Sequence, residues 1–406
     1  MNLEFAPCQH AGHADRIREA LEQCVAHLTR RVRPPSLVAV VLTGSFARGE
    51  GTVVQAGDAL KVLGDLEFFV VVPTAAEARR RRETLGVWAR ELGQRLAARG
   101  LLVDVEFGPI QADFFARRAR PSIFVHDLRE HGKVLWGPPE LLEAIPPFEP
   151  PAIPREDAVH LVFNRAIEQL AAWNRLAALD GTAVLDAAYQ RLKLVLDLAG
   201  SALAFAGSHT ALYRRRPAAF ARLVAETPSL AAHLPAGFLD ELAAAARAKV
   251  DPAGGFPAPP AGARPAEQRA WLRQRLLAAI PLVAGVLRWE LAQLLDRGGE
   301  LDDLLEGFIR RPSWFRRARE WAKLVLNPLP SPRPISHTGA ARLFWRSTPR
   351  GVLYAAGLRA YLALAAGSPA PSPRRLLPIL VSAWPADPAA EREAVVELWR
   401  WCVRNS

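Results

Sequence analysis

The chain has 406 residues, half of them hydrophobic, and a net charge of +11 at pH 7. Its length exceeds the ~100–200 residues of one typical domain, which predicts two domains, and its apolar content excludes a largely disordered chain. Three cysteines, Cys8, Cys24 and Cys402, are too few and too scattered for a disulfide framework or a cysteine-ligated zinc site, so a reducing, cytoplasmic compartment is expected.

No targeting or membrane-spanning segment is expected. Residues 1–5 lack the basic region and the apolar core of a signal peptide, and no run reaches the ~20 apolar residues of a membrane span. The two most apolar runs are 276–287, which ends at Arg288, and 353–366, which contains Arg359. Both runs predict buried helices.

The positive charge lies in the second part of the chain. Basic and acidic side chains are equal in number over residues 1–150, so the whole excess falls in residues 151–406. Nearly every cation is arginine, and alanine is abundant. This bias fits a GC-rich genome better than it fits phosphate binding.

The first 137 residues predict alternating helices and strands. Apolar residues recur at helical spacing from Ile17 to Val32, which predicts an amphipathic helix that ends before Pro34. Thr74 is placed to cap a long helix that stops at Gly100. The predicted helices span 17–32, 74–99 and 122–130, and the predicted strands span 37–42, 68–72, 101–107 and 133–135.

Beyond a Pro-rich stretch at 146–154, every apolar pattern has helical spacing. The sequence therefore predicts an α+β protein with one domain over 1–145 and an α-helical domain over 155–406, divided near the Gly/Pro/Ala-rich stretch 252–265. A second break is expected at 327–334. The predicted helices span 156–178, 184–206, 220–232, 237–249, 267–296, 301–326, 352–366 and 389–403.

Three apolar runs carry residues that suit phosphate chemistry. The first is followed by Gly44-Ser45, the second begins with Asp65-Leu66-Glu67, and the third contains Asp104. Alternate residues of a strand share one side, so Asp65 and Glu67 project together. Carboxylates combined with phosphate oxygens are typical ligands of Mg²⁺. A glycine lets the backbone approach a phosphate closely, and a serine hydroxyl can bond to it.

In this order the motifs resemble the DNA polymerase β-like nucleotidyltransferase superfamily, closest to its minimal and antibiotic-nucleotidyltransferase branches. The resemblance covers about residues 35–137. It implies a mixed β-sheet with flanking helices, followed by a mostly helical domain. The gap between Ser45 and Asp65 is longer than is usual for the family. This gap predicts an inserted loop or hairpin at 50–63, in which Glu50 is structural.

The resemblance also implies the metal ligands. Asp65 and Glu67 would be catalytic and would share one or two Mg²⁺ ions. Asp104 would be the third ligand and could take a proton from the acceptor hydroxyl. Glu106 shares the side of Asp104 on the predicted strand and is the alternative for that role.

Nucleotide-binding residues are implied in the same way. Gly44 and Ser45 would hold the β- and γ-phosphates of an NTP. Arg48 would contact phosphate or brace the loop, and the alternative is a surface ion pair. Related enzymes carry a lysine on a helix after the catalytic domain that reaches the triphosphate, and Lys193 is placed similarly.

From spacing alone, the helix at 184–206 allows a different interpretation of Lys193. Its polar residues share one face, which is typical of a solvated stripe with a weak Lys193–Asp197 ion pair worth ~0.3–0.5 kcal/mol. The residues of this face are Asp186, Tyr189, Gln190, Lys193, Asp197 and Ser201.

A third feature is a segment in which basic and aromatic residues interleave. Such a segment could bind nucleic acid or an anionic membrane, or its aromatic residues could pack inward while its arginines face solvent. Nucleic acid is not the favoured partner, because the neutral residues 1–150 offer little attraction to a template. The segment comprises Arg310, Arg311, Trp314, Phe315, Arg316, Arg317, Arg319, Trp321, Lys323, Arg333, Arg342, Trp345, Arg346 and Arg350.

The expected activity is a Mg²⁺-dependent transfer of a nucleoside monophosphate from an NTP, such as ATP, with release of pyrophosphate. The acceptor would be a hydroxyl of a small molecule or of a protein. The alternative is a non-catalytic regulatory or nucleic-acid-binding protein that reuses the nucleotidyltransferase fold.

Overall fold

The computed structural model describes residues 11–179, 181–326, 331–366, 380–381, 385 and 387–404. The expectations for residues 1–5 and for Cys8 lie outside these residues, and so does the part 327–330 of the break expected at 327–334. Within them the α+β prediction is confirmed, with a sheet in the N-terminal part and helices in the C-terminal part. Cys24 and Cys402 are free thiols.

The chain divides into two compact units. The first contains residues 1–157, 203–221 and 239–258, and the second contains 158–202, 222–238 and 259–406. This division differs from the predicted one at 145/155, because two later segments belong with the sheet. One physical reason lies at Glu50, which follows the first strand and the first helical turn after it. The Glu50 carboxylate accepts hydrogen bonds from backbone N–H groups in the segment 203–221.

The first unit is built on five strands and their flanking helices. The predicted elements are confirmed, and the strand predicted at 68–72 begins earlier, at Ala59. Thr74 caps its helix as predicted, because its side chain accepts a hydrogen bond from the Glu77 N–H. The elements are α1 Ala11–Arg31, β1 Ala39–Leu42, α2 Gly44–Ala47, β2 Thr52–Ala56, β3 Ala59–Val72, α3 Ala75–Ala97, β4 Leu101–Gln111, α4 Ile123–His131 and β5 Lys133–Trp136.

Strand β3 is the centre of the sheet. β2 and β1 both pair with it antiparallel, β2 along its first half and β1 along its second half. β4 pairs with β3 in parallel, and β5 pairs with β1 antiparallel. The loop or hairpin predicted at 50–63 is a hairpin, in which β2 and the start of β3 are joined by the turn Gly57-Asp58.

Both faces of β1 are buried, which explains why this strand is a continuous apolar run. Val40 and Leu42 pack in a core with α1 and α3, whereas the alternate residues Ala39 and Val41 pack in a second core with Phe115 and residues of α4. The helices therefore hold β1 and β3 from both sides. The residues at the ends of these strands are fixed in position as a result.

The second unit is helical in the described residues. Three predicted helices, 220–232, 267–296 and 301–326, are each divided in two, and a proline stands at each break, Pro228, Pro281 and Pro312. Helix α14 was not predicted. The other α-helices of the described residues are α5 Arg155–Arg175, α6 Gly181–Phe205, α7 Arg216–Glu226, α8 Pro228–Ala231, α9 Phe238–Val250, α10 Pro265–Ala278, α11 Ile280–Leu295, α12 Leu301–Arg310, α13 Trp314–Val325, α14 His337–Phe344, α15 Pro349–Ala366 and α16 Pro388–Trp399.

One stretch of the described chain, Pro265–Leu295, is long and apolar enough to cross a membrane by length and composition alone. Core helices of soluble proteins pass the same test. This stretch comprises α10 and α11, and just over half of its apolar window is buried inside the protein. The expected absence of a membrane span stays a prediction.

Candidate functional site

Four acidic residues form a compact block on strands β3 and β4. In the parallel pairing Asp65 lies beside Asp104 and Glu67 lies beside Glu106. Alternate residues of each strand point to the same side, so the four side chains share one face of the sheet. Carboxylate oxygens of Asp65, Glu67 and Glu106 lie within 4.8 Å of one another.

The trio contains Glu106, the predicted alternative, where Asp104 was the first choice for the third ligand. Asp104 is exposed beside Asp65, and its role as a ligand stays a prediction. The choice between the two acids depends on the register of β3 and β4, which shifts between Lys61 and Asp65. A register shift of this kind leaves no signal in the sequence.

The composition of the trio suits a hard divalent cation. All three ligand atoms are carboxylate oxygens, the atoms that Mg²⁺ prefers. Asp65 and Glu67 are half-buried and Glu106 is exposed, so the cluster is open on one side. Mg²⁺ usually keeps several waters or takes phosphate oxygens alongside a few carboxylates. An open cluster of this kind leaves space for both.

The Gly44-Ser45 turn lies directly against this cluster. The Thr43 N–H donates a hydrogen bond to the Glu67 carbonyl oxygen (2.9 Å), which fixes the end of β1 beside β3. Gly44 has a φ of +71°, which disfavours any residue with a side chain. A Cβ atom at Gly44 would also collide with the Glu67 carboxylate. Glycine at this position therefore permits the close contact between the turn and the acidic cluster.

Arg48, directly after the turn, is held by two side-chain contacts. Its Nη1 donates a hydrogen bond to Asp127 Oδ2 on α4 (3.2 Å), and its guanidinium lies 5.1 Å from the centre of the Tyr213 ring. Both partners and Arg48 are largely buried. Of the three predicted roles, a surface ion pair is wrong, because the pair with Asp127 is buried, and a role in bracing the loop fits these two contacts. Contact with a phosphate stays a prediction.

Asp127 also belongs to a second cluster, which was not predicted. His126, Asp127 and His209 offer atoms within 4.8 Å of one another, and His209 Nε2 lies 2.7 Å from Asp127 Oδ1. Like the acidic trio, this cluster could hold a metal ion. The His126-Asp127 pair is visible in the sequence, but His209 lies some 80 residues away and nothing in the sequence connects it to them.

The protonation of this second cluster follows from its burial. Burial alone would raise the pKa of the Asp127 carboxyl, but contacts with His126 and His209 and the charge of Arg48 outweigh it and hold that pKa well below its usual range. Burial lowers the pKa of His209 despite the carboxylate beside it. A neutral His209 therefore donates its Nε2–H to an ionised Asp127.

Glu50 is structural, as predicted. Its buried carboxylate accepts hydrogen bonds from the N–H groups of Tyr213 (2.9 Å) and Arg214 (3.1 Å), and its carbonyl oxygen accepts one from the Lys249 ammonium. Thr52 donates to the Lys249 carbonyl oxygen (2.8 Å). These bonds attach residues 203–221 and 239–258 to the β2–β3 hairpin.

Lys193 lies on α6 in the second unit and is half-buried, with its Nζ 5.8 Å from the centre of the Tyr189 ring. The solvated stripe considered as the alternative is wrong, because Tyr189, Asp197 and Ser201 are buried. Asp197 forms an ion pair with Arg165 (2.6 Å). The expected contact of Lys193 with a triphosphate stays a prediction.

The inward packing considered for the basic and aromatic segment is correct only in part. Trp321 is buried, and its indole N–H donates a hydrogen bond to the Ser347 carbonyl oxygen (2.9 Å). By contrast, Trp314, Phe315 and Trp345 are 54%, 80% and 70% exposed. Most of the aromatic surface of this segment therefore faces outward.

Comparison with protein families, with curated proteins and with solved structures finds no match to this chain.

Proposed function

We propose that the protein is a Mg²⁺-dependent nucleotidyltransferase. It would move a nucleoside monophosphate from an NTP to a hydroxyl of a small molecule or of a protein and release pyrophosphate. The observation that carries the proposal is the contact between the Gly44 turn and the acidic cluster of Asp65, Glu67 and Glu106. A phosphate-binding backbone and a set of magnesium ligands then meet at one point, as transfer from a nucleotide requires.

Each part of the site has a separate task. Asp65, Glu67 and Glu106 would hold one or two Mg²⁺ ions, which supply charge neutralisation at the phosphates. Gly44 and Ser45 would position the β- and γ-phosphates through the backbone and the hydroxyl. Arg48, held by Asp127, keeps the turn in place.

The chemical step is a displacement at the α-phosphorus. The acceptor oxygen forms a bond to the α-phosphorus, and the bond between the α-phosphorus and the bridging oxygen of the pyrophosphate breaks. The hydroxyl proton passes to a carboxylate, and exposed Asp104, next to Asp65, is the group that we assign to this task. Pyrophosphate leaves with the bonding electron pair.

Substitutions of the two acids of β4, Asp104 and Glu106, should have different effects. Glu106→Gln is expected to weaken Mg²⁺-dependent NTP binding, because it removes a ligand. Asp104→Asn should leave that affinity within about twofold and slow transfer by about 10²–10⁴, the usual contribution of a proton acceptor. Calorimetry and single-turnover transfer measure the two quantities. The opposite result, with NTP affinity lost only in Asp104→Asn, would make Asp104 the ligand.

Lys193→Ala is expected to weaken NTP binding about 10- to 100-fold, because a charge-assisted contact with phosphate is worth ~1.5–3 kcal/mol. Lys193→Arg keeps the charge and serves as the matched control, with a smaller loss. The measurement is calorimetric titration with NTP and Mg²⁺. A variant with a lower melting temperature and unchanged NTP affinity would assign Lys193 to the stability of α6 alone.

A labelling experiment tests the proposed function. The protein is incubated with each of four NTPs carrying a labelled α-phosphate, together with Mg²⁺ and a cell extract, and the labelled product is followed. We expect label in a small molecule or a protein, and none with Asp65→Asn. The alternative, a non-catalytic protein, predicts no label beyond that of the variant.

The charge of the chain supports a small or protein acceptor over a nucleic-acid template. Residues 1–150, which carry the acidic cluster, have no net charge. Enzymes that hold a polynucleotide beside their metal ions need a basic groove, because the phosphate backbone supplies most of the affinity. A small acceptor or a protein side chain needs no such groove.

A further inference from the structure

Part of the exposed face of helix α13 is apolar. Phe315 is 80% exposed, and Val325 and Leu326 at the other end of the helix are each 79% exposed. At 100° per residue these side chains and Ala322 lie within about a third of the circumference, so they form one stripe. Trp321 and Leu324 of the same helix are buried on the other side. α13 therefore carries an apolar stripe on its solvent-facing side in addition to the apolar side that packs.

An aromatic cluster extends this stripe at the start of the helix. Trp314 contacts Phe315 (ring centres 5.4 Å apart) and Phe344 (6.1 Å), and Phe344 contacts Trp345 (5.4 Å). Trp314 and Trp345 are 54% and 70% exposed. The peptide that holds Trp345 is fixed, because Arg317 donates a hydrogen bond to its carbonyl oxygen (2.6 Å). The aromatic cluster therefore lies on the surface where α13 and α14 contact each other.

The surroundings of this surface are strongly basic. Residues 310–350 contain ten lysines and arginines and a single acidic residue, Glu320, so this short segment accounts for most of the net charge of the chain. Arg316 forms an ion pair with Glu320 (3.3 Å). Arg319 and Lys323 on α13 and Arg346 beside Trp345 are exposed. The apolar stripe is thus bordered by cations.

We propose that this surface, the α13 face formed by Trp314, Phe315, Val325, Leu326 and Trp345, docks on an anionic lipid bilayer. α13 then lies in the plane of the membrane interface, with its apolar stripe among the upper acyl chains and its cations at the lipid phosphates. A surface that joins exposed tryptophan, phenylalanine and leucine to lysine and arginine has the composition of interfacial helices. Each cation adds attraction to anionic headgroups.

Two other occupants fit the surface less well. Nucleic acid would use aromatic planes as stacking platforms, whereas the rings here meet edge to face at 84–88°, and Val325 and Leu326 would gain nothing from bases. A second copy of the chain would place the exposed cations Arg319, Lys323 and Arg346 opposite their own copies across a two-fold axis. Charge complementarity therefore favours a lipid surface.

Vesicle flotation tests the proposal with the full-length chain. The vesicles are phosphatidylcholine alone, or phosphatidylcholine with about one third phosphatidylglycerol, at about 50 mM and about 500 mM salt. The wild type should bind the anionic vesicles at low salt and bind them less at high salt. It should not bind the neutral vesicles. Phe315→Ser with Trp345→Ser should lower the partition coefficient at least about tenfold, and so should Arg319→Gln with Lys323→Gln.

A matched control removes two exposed arginines elsewhere, Arg222→Gln with Arg247→Gln, and should bind like the wild type. All altered residues are exposed, so circular dichroism and melting temperatures should be unchanged. Three results would overturn the proposal. These are no binding to anionic vesicles, a loss in the control as large as in the α13 variants, or an α13-dependent dimer or oligonucleotide complex without lipid binding.

Discussion

Asp65→Asn is expected to lower the Mg²⁺-dependent affinity for NTP by more than about a hundredfold and to leave the fold intact. Asp65 is one of three carboxylates whose oxygens lie within 4.8 Å of one another. An amide oxygen replaces a charged ligand by a neutral one of the same shape, so packing around β3 is preserved. Residues that merely support metal ligands typically account for 10- to 100-fold in metal affinity or activity, and a ligand should exceed this.

Asp58→Asn is the matched control for this measurement. Asp58 is an exposed aspartate in the turn between β2 and β3, and the same substitution there removes the same charge from the same unit. Calorimetric titration with NTP and Mg²⁺ should show wild-type affinity for Asp58→Asn. Equal affinities for wild type, Asp58→Asn and Asp65→Asn would remove Asp65 from the site.

The second large effect is expected at Glu290 on α11, a residue with no part in the proposed catalysis. Glu290 is completely buried, and burial raises the pKa of its carboxyl to about 8. Glu290 Oε1 lies 2.6 Å from Ser201 Oγ, which in turn lies 2.8 Å from the Ala158 carbonyl oxygen. Since the serine has one proton, a protonated Glu290 completes the chain by donating to Ser201 Oγ, while the serine donates to Ala158.

This pKa makes the stability of the second unit depend on pH. The folded state keeps the proton up to about pH 8, whereas an unfolded glutamic acid loses it above about pH 4.5. The free energy of unfolding should therefore fall as the pH rises from about 4.5 to about 8, by a few kcal/mol in total, because one pKa unit corresponds to about 1.4 kcal/mol. Below this window both states are protonated and Glu290 has no effect on the pH dependence.

Glu290→Gln should abolish this fall. The glutamine amide cannot ionise, and its N–H can donate to Ser201 Oγ in place of the acid proton. We expect the variant to match the wild type within about 1 kcal/mol at pH 5 and to exceed its stability by a few kcal/mol at pH 8. Urea denaturation followed by tryptophan fluorescence measures both. A wild type as stable as the variant at pH 8 would show that Glu290 is ionised and compensated.

Much of the first unit was predictable because its signals are local. Thr74 has the side chain that caps α3, and the apolar run before Gly44 is a strand buried on both faces. Asp65 and Glu67 meet on one side because of the two-residue period of a strand. Pro281 and Pro312 were also visible in the sequence. The single long helices predicted at 267–296 and 301–326 are wrong, because a proline inside a helix removes a backbone hydrogen bond and breaks it.

The remaining features depend on tertiary contacts. Glu106 joins Asp65 and Glu67 through the register of β3 and β4, and His209 reaches Asp127 from a segment some 80 residues away. Trp314 and Trp321 have the same helical spacing as core residues, yet Trp321 is buried and Trp314 is exposed. Burial of this kind is decided by what packs against a helix, and the helix's own sequence does not contain that information.

The proposed magnesium and nucleotide site is tested by a crystal structure with Mn²⁺ and a non-hydrolysable NTP, with anomalous scattering to locate the metal. We expect Mn²⁺ within about 2.3 Å of carboxylate oxygens of Asp65 and Glu67, with the triphosphate against the backbone of Gly44 and Ser45. Nucleotide bound elsewhere, or Asp65 and Glu67 in ion pairs with arginine and no anomalous peak beside them, would contradict the proposed site.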